Sequence, residues 1–530
     1  MCLSMPGSSI PTHFLTTIDS LRDFNVVDYS PRQSSAMPLM VPIQCLFFAF
    51  VAAACVPVST LLLIFNLLCI SLPPRTSFHQ RLKRVPGFRS RTIFITGVNT
   101  PHGLRLARAF HSTGHKVVGA DYEPDAFPIH VRFSNALSRF YRLPPKSDHS
   151  HQVAYIACLV RIIEQENAEL WINCTTSADP STEAQARSVI EQNNKCQCFA
   201  LRVNDVPYFA TREAFLLYTA SQGLPIPETY HVKSRDEVHN VLNKARGRRK
   251  YLLHSLDQNG DHANSTRTVL PRRTLSQTYN TVSQMAITST VPWKLEQDVN
   301  GLERYHTFAI IVRGSLRAFA ASRPTYLGCY QLVEPKSALS MSMLRFVHTF
   351  ARNQGHDFTT HLGIDFCVEE QVTESGVAQI ILPVQVCVQA QAAAQLFQGL
   401  GGSVQLTRAY LECLTENELS VGKQITKPAP AVTQHTLQDD VAMPDSTTSG
   451  TYCFGQDLLQ LCFGPLLSMI TLRIGIIDCT QQLIRFFNHL VFWEDDLYNF
   501  RDPVPFWWSY QVYIPLRFVR TAVAWTHDVP

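Results

Sequence analysis

Four side chains that could hold a cation or a phosphate fall close together between Thr360 and Phe397. The stretch reads THLGIDFCVEE, a polar interval, then AQIILPVQVCVQAQAAAQLF. Two apolar, β-type runs flank Thr373-Glu374-Ser375-Gly376, which predicts an antiparallel strand pair. Asp365 lies in the first strand, and Gln385, Cys387 and Gln389 alternate along the second. A period of two puts those three on one face. Such a row beside an acid suits a metal-bound nucleotide. It also suits a half-buried strand whose polar face meets water, and spacing alone leaves both open.

The stretch resembles a pattern of fungal ATP-grasp proteins related to the ligases that make mycosporine-type amino acids, approximately GHLSFDF…YPIECNPRAHTAVVLF. The resemblance implies that the Glu and Asn after the Pro hold Mg²⁺ and that the Arg steadies the transferred phosphoryl group. These positions fall on Gln385, Cys387 and Gln389, so all three are changed, while Asp365 remains as the acid of the metal strand. FATREAF places Arg212 where the family's LHEKDSF carries a phosphate-binding Lys. KYLLHSLD places His254 where a YIMKP strand carries the Lys for the α- and β-phosphates. PWKLEQDVNGLERYHTFAIIVRGSLRAF resembles PWxxQExxxGxEYxTHxxVxxGxxxAF. There the resemblance implies an adenine-contacting hinge at Glu296, Gln297 and Val299 and a ribose partner in Glu303. Gly301 is expected to permit a tight turn, Arg313-Gly314 to close a hairpin, and RGRRK at Arg246–Lys250 to be a solvated basic helix end.

An ATP-grasp ligase activates a carboxylate as an acyl phosphate, which an amine then attacks, and cations supply most of the catalysis. Mg²⁺ is hard and takes oxygen ligands. Gln385 offers a neutral carbonyl oxygen, Cys387 a soft sulfur, Gln389 no charge, and His254 a charge mostly absent at pH 7. Losing one transition-state cation costs ~10³-fold or more. Two readings follow. One is a membrane-attached ATP-grasp carboxylate–amine ligase of fungal secondary metabolism, using ATP and Mg²⁺ on a small-molecule carboxylate and an amine or amino acid. The other is a catalytically inactive pseudoenzyme kept as a binding or scaffold subunit.

The elements that must position these residues are α/β and α+β in kind. A chain of 530 residues holds two or three domains. A net charge of +4, with scattered basic residues, gives no case for a nucleic-acid partner. Fifteen cysteines without a CxxC pair read as buried thiols in a reducing compartment. Residues 1–40 form a polar tail. Residues 41–74 are uncharged and apolar, long enough to cross a bilayer, and divided by Pro57, so a kinked span or a re-entrant hairpin is expected. Arg75, Arg81, Lys83 and Arg84 follow directly and put the main domains on the cytoplasmic side.

Residues 90–205 alternate strands and helices and predict a parallel, Rossmann-like sheet. Its turn from Gly97 to Gly103, with Asp121 closing the next strand, carries a weaker third reading as an NAD(P)-dependent reductase. No Tyr-x-x-x-Lys pair supports it. Residues 206–426 are the ATP-grasp domain implied by the resemblance, and 427–450 a linker. Residues 451–530 are an apolar extension in which Trp507-Trp508, Arg517 and Arg520 favour helices lying in a membrane interface.

Overall fold

The computed structural model describes residues 40–71, 88–123, 127–144, 149–175, 180–193, 196–245, 249–255, 267–288, 293–325, 329–373, 376–388, 392–419, 441–445 and 450–527. The chain is mixed α/β. β1 (Thr92–Thr96), β2 (Lys116–Tyr122), β3 (Arg139–Leu143), β4 (Leu170–Asn173) and β5 (Gln197–Phe199) make a parallel sheet in the order β3-β2-β1-β4-β5. Helices on both faces bury Phe94, Ile95, Trp171 and Ile172 completely, as continuous apolar runs of parallel strands require. Gly97 has φ +75°, and a Cβ there would meet Cys174 C at 2.3 Å, so this turn demands glycine. The Asn99 N–H donates to Asp121 Oδ2 at 2.7 Å, and Thr100 caps the helix Pro101–Ser112 by accepting from Gly103 N. The turn and the acid expected of a dinucleotide site are thus bonded to each other.

A second sheet, β6-β9-β7-β8, is antiparallel and built from β6 (Thr229–Val232), β7 (Tyr251–Ser255), β8 (Thr268–Leu270) and β9 (Trp293–Gln297). Tyr251, Leu253 and Leu295 pack on Val238, Leu242 and Val282 of the helices Arg235–Ala245 and Leu275–Ser283. That fixes which face is covered.

The third sheet comprises β10 (Glu303–Val312), β11 (Ser315–Pro324), β12 (Tyr330–Leu332), β13 (Thr360–Thr373), β14 (Gly376–Cys387), β15 (Gly450–Tyr452) and β16 (Glu494–Asp495). Its order is β14-β13-β10-β11-β12-β15-β16. β13 and β14 form the expected hairpin, with Thr373 opposite Gly376. Arg313 (φ 51°) and Gly314 (φ 71°) close β10 onto β11 with the two left-handed residues of a hairpin turn. Gly301, by contrast, has no left-handed φ and open space around its Cα, so nothing in the backbone requires glycine there. The helix Ala338–Asn353 covers one face through Met343, Leu344, Val347 and Phe350.

The C-terminal extension is part of this architecture. β15 and β16 extend the sheet, and Tyr513 joins the core that holds Phe110 and Tyr410. Within the expected linker, Ala442 bonds to Arg317 O and Phe319 N at 2.9 Å each, and Val441 is buried, so 441–445 is a pinned segment. Trp507 Nε1 donates to Thr60 Oγ1 and Trp508 Nε1 to Pro128 O, so both indoles make intramolecular contacts.

Residues Met40–Ser71 form one helix of 32 residues that continues through Pro57, which overturns the re-entrant hairpin. The helix is about 48 Å long at ~1.5 Å per residue, and the helix Ile514–His527 packs along it. Among the described residues, no helix is long and apolar enough to cross a membrane.

Candidate functional site

The second sheet leaves uncovered the face opposite its helices. Register places Leu252 opposite Glu296 and His254 opposite Lys294, so these four side chains share the uncovered face. In the third sheet, His306 is opposite Asp365 and Asp365 opposite Gln385, with Cys387 two residues further along β14. Asp365, Gln385 and Cys387 are brought together as expected, on one sheet face. A bulge between Asp365 and Phe366 inserts Val384 beside them.

Three contacts close the two faces on each other. Arg212, at the start of the helix Arg212–Ser221, donates from Nε to Val384 O at 2.9 Å, and its Nη1 lies 2.5 Å from Glu296 Oε1. Arg249 grips Glu369 with Nε and Nη2 at 2.9 and 2.8 Å and reaches Glu228 with Nη1. It is a cross-sheet clamp, not the solvated helix end expected of RGRRK. Cys367 Sγ donates to Val299 O at 3.7 Å, and Val299, Cys367 and Leu382 make a small buried apolar cluster flanked by Ile380 and Val384. The region between the two sheets therefore has an apolar end at Val299 and a charged end where Arg212 and Lys294 meet Glu296 and Glu213.

Lys294 is a candidate site residue that the linear sequence did not disclose. Its ammonium lies 3.5 Å from Glu213 and 3.9 Å from Glu296, and its side chain is only 9% exposed. His254 beside it is held below the usual histidine range by burial first and then by Lys294. An imidazole held below its usual range and an ammonium thus stand side by side where the sequence shows only the histidine. The available signal was parity, because Lys294 is two residues from Glu296 and so shares its face.

Other expected site residues fall elsewhere. Glu303 alternates with Arg304 and His306 on β10 and projects to the face opposite Asp365, where it accepts from Tyr305 Oη at 2.7 Å and Arg323 Nη2 at 2.9 Å. It does not face the cleft as a ribose partner. Gln297 is committed on the helix-covered side, its amide donating to Glu228 O and its Oε1 accepting from Glu228 N. Gln389 lies outside the described residues.

The donor set does not fit Mg²⁺. Asp365 Oδ1 is 2.7 Å from His306 Nδ1, the residue opposite it on β14 is a neutral amide, and Cys387 supplies sulfur. A hard dication prefers two anionic oxygens, whereas among Asp365, Gln385 and Cys387 only Asp365 offers one, and it is already partnered.

No family model and no curated protein matches the chain. Solved structures match loosely. The biotin carboxylase subunit of a pyruvate carboxylase has 11% identity and a TM-score of 0.45, over 64% of this chain and 71% of that one. The biotin carboxylase domain of a thermophilic 2-oxoglutarate carboxylase, bound to ADP, has 11% identity and a TM-score of 0.42, over 63% and 71%. The L-amino acid ligase from Bacillus licheniformis has 13% identity and a TM-score of 0.37, over 58% and 69%. All three likenesses are too loose to carry a function to this chain.

Proposed function

We propose that this chain is an ATP-grasp carboxylate–amine ligase-like protein that binds a nucleoside triphosphate between its second and third sheets. The observation that carries the reading is Lys294 beside His254: the cleft keeps a phosphate-facing cation although the expected lysine position is a histidine. Arg212 supplies a second cation, and the Val299–Cys367–Leu382 cluster supplies an apolar wall for a purine. In a ligase of this kind a substrate carboxylate oxygen attacks the γ-phosphorus and ADP leaves. An amine then attacks the acyl carbon, and phosphate leaves as the C–N bond forms. Here Lys294 and Arg212 would hold and orient the phosphates, and Asp365 with His306 would border the transferred group. No step is assigned to Mg²⁺, whose ligands do not fit.

A second reading is favoured by the Gln385–Asp365 pairing: a nucleotide-binding subunit without turnover. Calorimetry of ATP on the full chain, with and without Mg²⁺ and with a coupled ADP-release assay, separates the two. Binding with ADP release supports a ligase, binding alone the inactive subunit, and absence of binding overturns both.

Membrane attachment belongs to the same proposal. Its support is the uncharged helix Met40–Ser71, whose Val58, Leu61, Leu62, Phe65 and Leu68 are each more than half exposed. Flotation of the full chain with lipid vesicles tests it. A place in fungal secondary metabolism rests on the sequence resemblance alone.

A further inference from the structure

Outside the cleft, a thiol, a carboxylate and an imidazole converge where the C-terminal extension joins the third sheet. Cys329 Sγ donates to Asp457 Oδ1 at 3.3 Å, Asp457 Oδ2 lies 2.6 Å from His489 Nδ1, and the ligand atoms all lie within 4.8 Å of one another. Cys329 is fully buried and Asp457 is 3% exposed.

We propose that Cys329, Asp457 and His489 bind one divalent transition-metal ion of the zinc class. Three features carry this. The first is distance. An ion with bonds of about 2.0 Å to N and O and about 2.3 Å to S holds its ligand atoms roughly 3–4 Å apart; here the thiol and carboxylate are 3.3 Å apart, all three ligand atoms lie within 4.8 Å, and the 2.6 Å carboxylate–imidazole hydrogen bond must open. The second is charge. Among the described residues, Asp457 meets the thiol and the imidazole and pairs with no Lys or Arg. A dication with a thiolate, a carboxylate and a neutral imidazole is neutral overall, which removes the cost of burying Asp457. The third is donor type: S, N and O suit zinc, cobalt or iron and not the magnesium of a phosphate site. Burial pushes the Cys329 thiol above its usual range, with Asp457 and Asp496 adding to the effect, and an adjacent dication reverses that balance.

The placement gives the ion a structural task. Cys329 directly precedes β12, Asp457 follows β15 by five residues and His489 precedes β16 by five. β12, β15 and β16 are consecutive neighbours in the sheet and are only three, three and two residues long. Few ladder bonds hold them, so one ion tying the chain next to each would fix their register. Trp493 stacks on His489 at 4.2 Å between centroids and restrains the ring.

The test uses the full chain, purified without chelator. Elemental analysis is expected to find about one zinc-class ion per chain. Exchange into Co²⁺ is expected to give a thiolate-to-cobalt charge-transfer band together with tetrahedral ligand-field bands. Cys329→Ser should abolish the charge-transfer band, and Cys387→Ser, in the nucleotide cleft, should leave it. A chain with no bound zinc-class ion and no such band on Co²⁺ addition overturns the proposal. So does a band that survives Cys329→Ser, or one that is lost with Cys387→Ser. The wild-type measurements stand even where a variant fails to fold, and none of the readouts depends on nucleotide binding.

Discussion

His254 and Lys294 are cross-strand partners on β7 and β9, so a lysine ammonium stands beside that imidazole on the uncovered face of the second sheet. The pair redistributes the charge of the phosphate end. Where a single strand would present its own lysine, this chain presents a largely neutral histidine and borrows the cation from the neighbouring strand. Arg212, bonded to both sheets, completes that end.

The metal face gives the first prediction. Gln385→Glu puts a second carboxylate opposite Asp365. Without Mg²⁺ the like charges should lower the melting temperature; with Mg²⁺ the loss should be reversed. ATP binding should become Mg²⁺-dependent and about tenfold tighter. Thermal melts and calorimetry with and without Mg²⁺ check both. A variant indifferent to Mg²⁺ would show that Gln385 is not at a metal position.

Acid should destabilise the fold through its buried histidines. His102 is pushed down to about 4, and His130 and His361 to about 3, in each case mainly by burial. The unfolded chain binds protons at these groups below about 6.5, while the native chain does not until those lower values. Their contribution is therefore complete above pH ~6.5 and is lost as pH falls. With all three titrating, stability should drop by about 4 kcal/mol per pH unit between pH 6 and 4. Urea midpoints across that window measure the slope, and a flat profile would contradict neutral burial of these rings.

Removing Asp502 should be costly. Arg108 Nε donates to Asp502 Oδ2 at 2.9 Å, Ser134 Oγ to the same oxygen at 2.6 Å and Asn135 N to Oδ1 at 2.9 Å, with both charged side chains nearly buried. Asp502→Ala strands the guanidinium, and a loss of about 3–5 kcal/mol is expected in urea unfolding. A loss under 1 kcal/mol, on the same scale, would mean that the extension is not anchored by this pair.

The legible parts of the fold were those with strong local signals. The β13–β14 hairpin showed itself because alternation and a polar turn agree, and the β1–β4 region because apolar runs alternate with helical stretches. β12, β15 and β16 were hidden by their length, since two or three residues carry no period. At the site, Asp365, Gln385 and Cys387 share a face because their two strands meet in one hairpin with a readable turn. Glu303 was misplaced because its face depends on a register set by distant pairing, and one residue of parity reverses it. Lys294 was missed for the same reason: its neighbour His254 is 40 positions earlier in the sequence. Arg249 lay in a charge run whose partners are far apart in sequence, Glu228 directly before β6 and Glu369 on β13.

The most direct test is ATP binding to the full chain as wild type and as Lys294→Met, with His254→Lys as the reciprocal variant. Lys294→Met should weaken binding by about tenfold or more, the scale of a lost charge-assisted hydrogen bond, and His254→Lys should strengthen it or leave it unchanged. Equal ATP affinity in wild type and Lys294→Met, or no ATP binding by the wild type, would contradict the assignment of this cleft to a nucleotide.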